Sequence, residues 1–469
     1  MFFMRRLGRF FIDQLKGFVA TNAGWRFDDL KRHFDAQISD LAADLELLKH
    51  SDEEELLRVA AETFWVAPLP PSQTGIAQFT FNHLERWRHP LHLYSPLDNS
   101  LRGRYIRQSW SASNKHVHLS GLSQLPSSSL KNYQVGVFVI GNSDHMVPIL
   151  EHGLSISSLK LVPRLLFYLH DICLHNVIMK AGGLTVAQYH DYMRQLYPDK
   201  WSASISERQI SWRLTDQLVK ANIFGCRALR DNGVTEFVVN SAFAKNLLES
   251  DLGDTSKGSI VHAAFHPVFD PLKPVVTPQP RPLADNFLVG SFGVPGRDKH
   301  TDEVILAVKK LRSRYKGIRL LISGYGAAQY LNSSPYKAFD WIDISSPDTQ
   351  EGFEAEISKV DIAIQLRRRS LGESSGVVPT LLAYGIPTLV AKIGAFEEFG
   401  AACEAVDPNR IVSVGAISKW IQHWIEVFKI DNSDERGQLR QHMEQYVQSH
   451  STDHFNQRLR YILEDGQRF

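Results

Sequence analysis

Between Arg26 and His50 the apolar residues Phe27, Leu30, Phe34, Ile38, Leu41, Leu45 and Leu48 recur at steps of three and four. That period puts them on one face of a helix, and its persistence over about three heptads is also the pattern of a short coiled coil. Self-association through residues 26–50 and docking on the body of the same chain both satisfy it. Upstream, Phe3, Leu7, Phe10, Phe11, Leu15 and Phe18 share helical spacing, with Arg5, Arg6, Arg9 and Lys16 beside them. Such a helix suits peripheral membrane contact through residues 1–20, and equally suits packing on protein. The apolar pairs are broken by arginine before they build the continuous apolar core of a signal peptide. Residues 1–60 therefore read as a helical extension.

From residue 61 the rhythm changes. Thr63–Ala67 is a short apolar run, "PLPPSQTG" a loop, and Ile76–Trp87 has helical periodicity. Strand, glycine-containing loop and helix open a nucleotide-binding α/β unit. "YQVGVFVIGN" and "RLLFYLHD" are almost wholly apolar, as strands covered on both faces must be. "EFVVNSAFAKNLL" reads as strand, turn and helix. Pro267, Pro271, Pro274, Pro278, Pro280 and Pro282 then exclude both helix and central strand, which predicts an interdomain linker over 266–286.

Beyond the linker the alternation restarts. Strands are expected in "NFLVGSFG", "IRLLISGYG", "DIAIQLR" and "IPTLVAK", with helices in "DEVILAVKKLRSRY", "GFEAEISKV" and "GVVPTLLAYG". The predicted fold class is α/β, two doubly wound Rossmann-like domains (61–265 and 287–412) facing across a cleft, followed by helices over 413–469.

The chain length of 469 residues agrees with two domains plus appendages. Hydrophobic residues make up 43% and charged residues 22%, a globular composition, and the net charge of +1 marks no nucleic-acid partner. Cys173, Cys226 and Cys403 form neither a ligand pattern nor a disulfide framework, which fits a reducing cytoplasm. No apolar stretch approaches the ~20 residues that span a bilayer.

In doubly wound folds ligands bind beyond the carboxyl ends of the strands, so the candidate residues are those that follow strands. Gly75 opens a helix whose free N–H groups suit a phosphate, or it is a plain turn residue. His170, with Asp171 beside it, ends a buried strand; it is a partner for a sugar hydroxyl or a satisfied core histidine. "GSFGVPGRDKHTDE" places Arg297 and Lys299 ahead of a helix, as a diphosphate clamp or as solvated loop charges. Glu373 stands among Gly372, Ser374, Ser375 and Gly376 at the mouth of another helix, where it accepts bonds from hydroxyls or favours the helix electrostatically.

Taken in order, "APLPPSQTGIAQF", "VIGNSDHM", "LHD", "VVNSAFAKNLL", "FGVPGRDK" and "LRRRSLGESSGVVPTLLAYGIPTLV" resemble motifs of the family-four, GT-B glycosyltransferases. More narrowly they are similar to a bacterial branch that builds cell-surface polysaccharides. The resemblance runs from about Thr63 to Glu404. It implies a retaining transfer from a nucleotide sugar to a lipid-linked or polysaccharide acceptor, with no cofactor and no metal. It implies donor binding by Gly75, Gly293, Arg297, Lys299, Glu373, Ser374, Ser375 and Gly376. His170, Glu373 and Lys299 would act nearest the reacting bond. The first domain would be the acceptor side and the second the donor side, with the protein cytoplasmic and peripheral on the inner membrane face.

Two positions depart from the family pattern. A second glutamate that binds ribose is common eight residues after the first, where this chain has Leu381. The arginine usual five residues before the loop lysine is Val294, leaving Arg297 as a substitute or Lys299 alone. These departures keep two other readings open: a non-catalytic scaffold of a glycan-assembly complex, and a nucleotide-sugar epimerase.

Overall fold

A computed structural model describes residues 62–70, 72, 74–97, 110, 114–125, 130–201, 205, 213–253, 258–269, 287–347, 349–407, 413–429 and 433–465. The helices expected within residues 1–60, and all but the first four residues of the proline-rich stretch, lie outside them. The elements below belong to one compact unit, Ala60–Leu97 with Ser111–Phe469.

Two parallel sheets organise that unit. The first contains β1 (Thr63–Val66), β2 (Leu91–Ser95), β3 (Val117–Gly121), β4 (Val135–Ile140), β5 (Arg164–Leu169), β6 (Glu236–Val239) and β7 (Ile260–Ala263), in the order β3-β2-β1-β4-β5-β6-β7. The second contains β8 (Leu288–Phe292), β9 (Arg319–Ser323), β10 (Ile342–Ser345), β11 (Ile362–Gln365), β12 (Thr388–Ala391) and β13 (Glu404–Val406), in the order β10-β9-β8-β11-β12-β13. All strands run parallel, and the order in which they are added reverses between β1 and β4 and again between β8 and β11. These are the switch points where doubly wound folds open a crevice. The architecture is the two-domain α/β fold of the GT-B type.

The central strands are those the apolar runs predicted. All six residues of β4 are buried, and β4 pairs with β5 in register from Val135–Arg164 to Ile140–Leu169. The strands not anticipated are mostly short and mixed. β7 shows one exposed and two half-buried residues, and β10 shows three half-buried ones. With one face incompletely covered, such strands carry a weak periodic signal. Several helices start at side-chain caps: Thr74 accepts from Ala77 N, Ser241 from Ala244 N and Thr349 from Gly352 N.

The tail ties both sheets together. Trp420 and Trp424, in the helix Val414–Lys429, share a core with Val304 and Ile305 beside the second sheet. The helix Thr452–Asp465 returns to the first sheet, where Phe455 packs edge-on against Phe79 and His83. There Arg164 Nη2 donates to the Ile462 carbonyl at 2.7 Å. His266–Phe269, at the start of the proline-rich stretch, is also packed down: Val268 is buried and bridges to Ser451, and His266 lies edge-on to Phe79.

Candidate functional site

The loops after β4, β5, β8 and β11 line an open cavity of about 670 Å³. All four leave the carboxyl ends of their strands, so the cavity lies between the ends of the two sheets. Its wall includes Asn142 and Asp171 from the first domain, and Lys299, Arg367 and Glu373 from the second.

Lys299 owes its position to a glycine. β8 ends at Phe292, and Gly293 follows with φ of +89°, its N–H donating to the Ser323 carbonyl at 2.7 Å. A Cβ at position 293 would fall on Lys299 Nζ as the lysine lies here, and the positive φ itself favours glycine. Nζ donates to the Phe292 carbonyl at 3.0 Å. Burial, and secondarily the Arg367 guanidinium, push the Lys299 amine down to about 7.

Arg367 is the first of three arginines after β11, and the three diverge. Arg369 is exposed and pairs with Asp216 at 2.8 Å; Arg368 is exposed, 3.4 Å from Glu303. Arg367 is half-buried, with its guanidinium carbon 5.4 Å from the centre of the Phe396 ring. Glu373 Oε2 accepts from the Leu371 N–H at 2.6 Å. Burial raises the Glu373 carboxyl and nearby Asp171 adds to the rise, while its backbone bonds and Arg367 oppose it. Asp171 accepts from Asn142 N–H at 2.8 Å and is likewise raised by burial. The cavity thus sets the half-buried Lys299 and Arg367 against the half-buried Glu373 and Asp171, where charges interact more strongly than in water, while Arg297, Asp298 and Arg369 line its exposed rim. Gly372, at φ of +93°, brings this loop onto the first domain, since any Cβ there would overlap Ile172.

Of the residues predicted from sequence, Arg297, Lys299 and Glu373 line this cavity together, and Gly293 abuts the lysine. Arg297 is exposed. Ser375 is buried, its hydroxyl accepting from Val378 N at 3.2 Å as a helix cap; Ser374 is half-buried and Gly376 exposed. Gly75 and His170 do not line the cavity. Gly75 begins the helix Gly75–Glu85 with open space around it. His170 sits in an aromatic nest, 4.4 Å from Phe79 and 4.9 Å from Tyr168 between ring centres, its Nδ1 3.2 Å from Asn240 Nδ2. Burial, then His266 and His83, hold it well below the usual range, so its ring is neutral. A Cβ on Gly376 would lie 3.6 Å from His266 Nε2, which puts this histidine cluster beside the Ser374–Gly376 turn.

Arg367 was not singled out from the sequence. Its signal was the arginine run directly after a strand, and a run of like charge normally reads as a solvated face. Leu381 is fully buried with Phe292, Leu321, Ile357, Val360 and Ala363, whereas Val294 is 57% exposed. Among the described residues, no group of three or more histidine, cysteine or acidic side chains is placed to hold a metal. Among those residues, too, no helix is long and apolar enough to cross a membrane.

The fold recurs in solved structures. Anabaena HepE in complex with UDP-glucose superposes with a TM-score of 0.55 at 13% identity, covering 86% of this chain and 99% of that one. A glycosyltransferase from Rickettsia africae superposes with a TM-score of 0.55 at 13% identity, covering 87% and 98%. At such identity the likeness is one of fold. No family model matches the chain, and no curated protein does.

Proposed function

We propose that this protein is a nucleotide-sugar-dependent glycosyltransferase, with the diphosphate of its donor held at Lys299 and Arg367 and the sugar at Glu373. The observation that carries this is the pair of partly buried cations beside a carboxylate, at the switch point of the second sheet. A nucleoside diphosphate leaves with growing negative charge, and preorganised cations in a desolvated cleft stabilise that charge. Glu373, an acceptor when ionised, is suited to orient sugar hydroxyls. HepE, with this fold, was captured with UDP-glucose, which supports a nucleotide-sugar ligand.

In this proposal Arg367 supplies the cation that Val294 lacks. The finer assignments extend the sequence resemblance: family-four chemistry with retention and without metal, a lipid-linked or polysaccharide acceptor, and work at the inner membrane face on O-antigen- or capsule-like glycan. The histidine nest at His170 belongs to the acceptor side of the same cleft.

The test is nucleoside diphosphate release by the purified full chain, over a panel of nucleotide sugars with lipid-linked acceptors extracted from bacterial membranes. Release by the parent and its loss in Lys299→Gln and Glu373→Gln are expected. A folded protein that neither binds nor releases any nucleoside diphosphate would overturn the proposal. Normal polysaccharide assembly by cells carrying both substitutions would favour the scaffold.

A further inference from the structure

The two cations and Glu373 account for the diphosphate and the sugar, which leaves the nucleoside without a partner. The strand order says where to look. Glu373 follows β11, Gly293 and Lys299 follow β8, and β9 is the neighbour on the far side of β8. In a nucleotide sugar the diphosphate separates sugar from nucleoside. A sugar over the end of β11 and a diphosphate over the end of β8 therefore put the nucleoside over the end of β9. Adjacent strands are about 5 Å apart, so β11 to β9 spans ~10 Å, the scale of such a ligand.

The end of β9 carries Tyr325, whose side chain is 80% exposed. Its turn is nevertheless pinned. Gly324 N–H donates to the Ser345 carbonyl at 2.9 Å, and Ser346 Oγ donates to the Gly324 carbonyl at 2.9 Å. Gly324 also presses on β8's loop: a Cβ there would lie 2.6 Å from the Gly293 carbonyl carbon, and Gly293 itself abuts Lys299. Positive φ at both flanking glycines, +152° at Gly324 and +77° at Gly326, builds this turn. An aromatic ring is therefore held in water on an anchored turn, one strand from the phosphate-binding lysine. Leu381, fully buried among apolar side chains, offers the nucleoside no polar group.

We infer that Tyr325 is the platform on which the donor's base stacks, an inference that rests on the nucleotide-sugar reading above. Stacking tolerates any base, because each presents a π face.

The experiment is calorimetric titration of the full chain with UDP, GDP, dTDP and inorganic pyrophosphate, comparing parent, Tyr325→Ala and Tyr325→Phe. Tyr325→Ala is expected to weaken whichever nucleoside diphosphates bind the parent by about ten- to hundredfold. Pyrophosphate affinity should stay within about twofold, and Tyr325→Phe should keep the nucleotide affinity. An unchanged nucleotide affinity in Tyr325→Ala, or an equal loss of pyrophosphate, overturns the assignment to Tyr325 while leaving the donor site standing. A parent that binds pyrophosphate but no nucleoside diphosphate, or binds neither, overturns the donor reading and this inference with it. The ring lies on the surface, so neither substitution disturbs the core, and circular dichroism checks the fold of each variant.

Discussion

Lys299 enters its cavity as a poor ammonium and, on the proposed function, has to become a good one. Burial and Arg367 push its amine down from the ordinary value near 10.5 to about 7. A bound diphosphate reverses that by supplying negative charge, so binding draws in a proton wherever the free site lacks one. A group that titrates at about 7 is half protonated at pH 7 and roughly 1% protonated at pH 9. The apparent Kd for UDP should therefore rise about fiftyfold over that interval. The last phosphate ionisation has its midpoint near pH 6, so the ligand's own charge changes by only about a tenth of a unit over that interval. His83 and His266, pushed down to about 4 by burial, are neutral throughout.

The assay is calorimetric titration with UDP at pH 7, 8 and 9, in buffers of different ionisation enthalpy so that proton uptake is counted directly. Lys299→Arg is the internal control, because a guanidinium keeps its charge over the whole window. Any slope remaining in that variant measures the other groups facing the cavity, Glu373 and Asp171 among them. Unliganded stability carries the opposite sign. The folded protein releases this proton near pH 7 while the unfolded chain holds it to about 10.4, so this group's contribution to stability grows as pH rises through that range. Equal pH slopes for the parent and Lys299→Arg, or no proton uptake at pH 8, would refute the account of Lys299.

Three further outcomes follow from the same geometry. Arg367→Gln removes the second cation and should weaken UDP binding by ~2 kcal/mol, roughly thirtyfold in Kd by titration. Glu373→Gln should leave UDP affinity near that of the parent and lower donor turnover about ten- to hundredfold, since it touches the sugar and not the nucleotide. Asp251 is fully buried and accepts from Tyr197 Oη at 2.7 Å and from the N–H groups of Phe224 and Cys226 at 2.9 Å. Asp251→Ala strands these donors, so thermal unfolding should show a loss of about 2–3 kcal/mol with UDP binding by the folded fraction unchanged.

Much of the framework was present in local pattern alone. Apolar runs such as Val135–Ile140 mark strands covered on both faces, because burial on two sides leaves no polar position. Helical periods after each strand, with connections of a few residues, define two parallel sheets. That Lys299 and Glu373 would line one cavity was legible as an expectation, because in doubly wound folds the cleft opens beyond the strand ends and both lie in glycine-containing segments after one.

What local pattern cannot carry is which distant loops meet and which way a side chain turns. Asp171 and Arg367 are nearly 200 positions apart, yet both line the one cavity, because Gly372 allows the β11 loop to touch Ile172. Three consecutive arginines look equivalent as letters. Tertiary contacts give Arg369 to Asp216 and set Arg367 against Phe396, facing Lys299. His170 was singled out for its place at a strand end; packing against Phe79 and Tyr168 buries it as a neutral ring in a nest that adjoins the Ser374–Gly376 turn. The sequence by itself determined the architecture and the chemical types at the strand ends, since both depend on short-range periodicity. The assembly of one charged cavity, and the lowered basicity of its lysine, were decided by tertiary structure, because burial and charge proximity are properties of the folded chain.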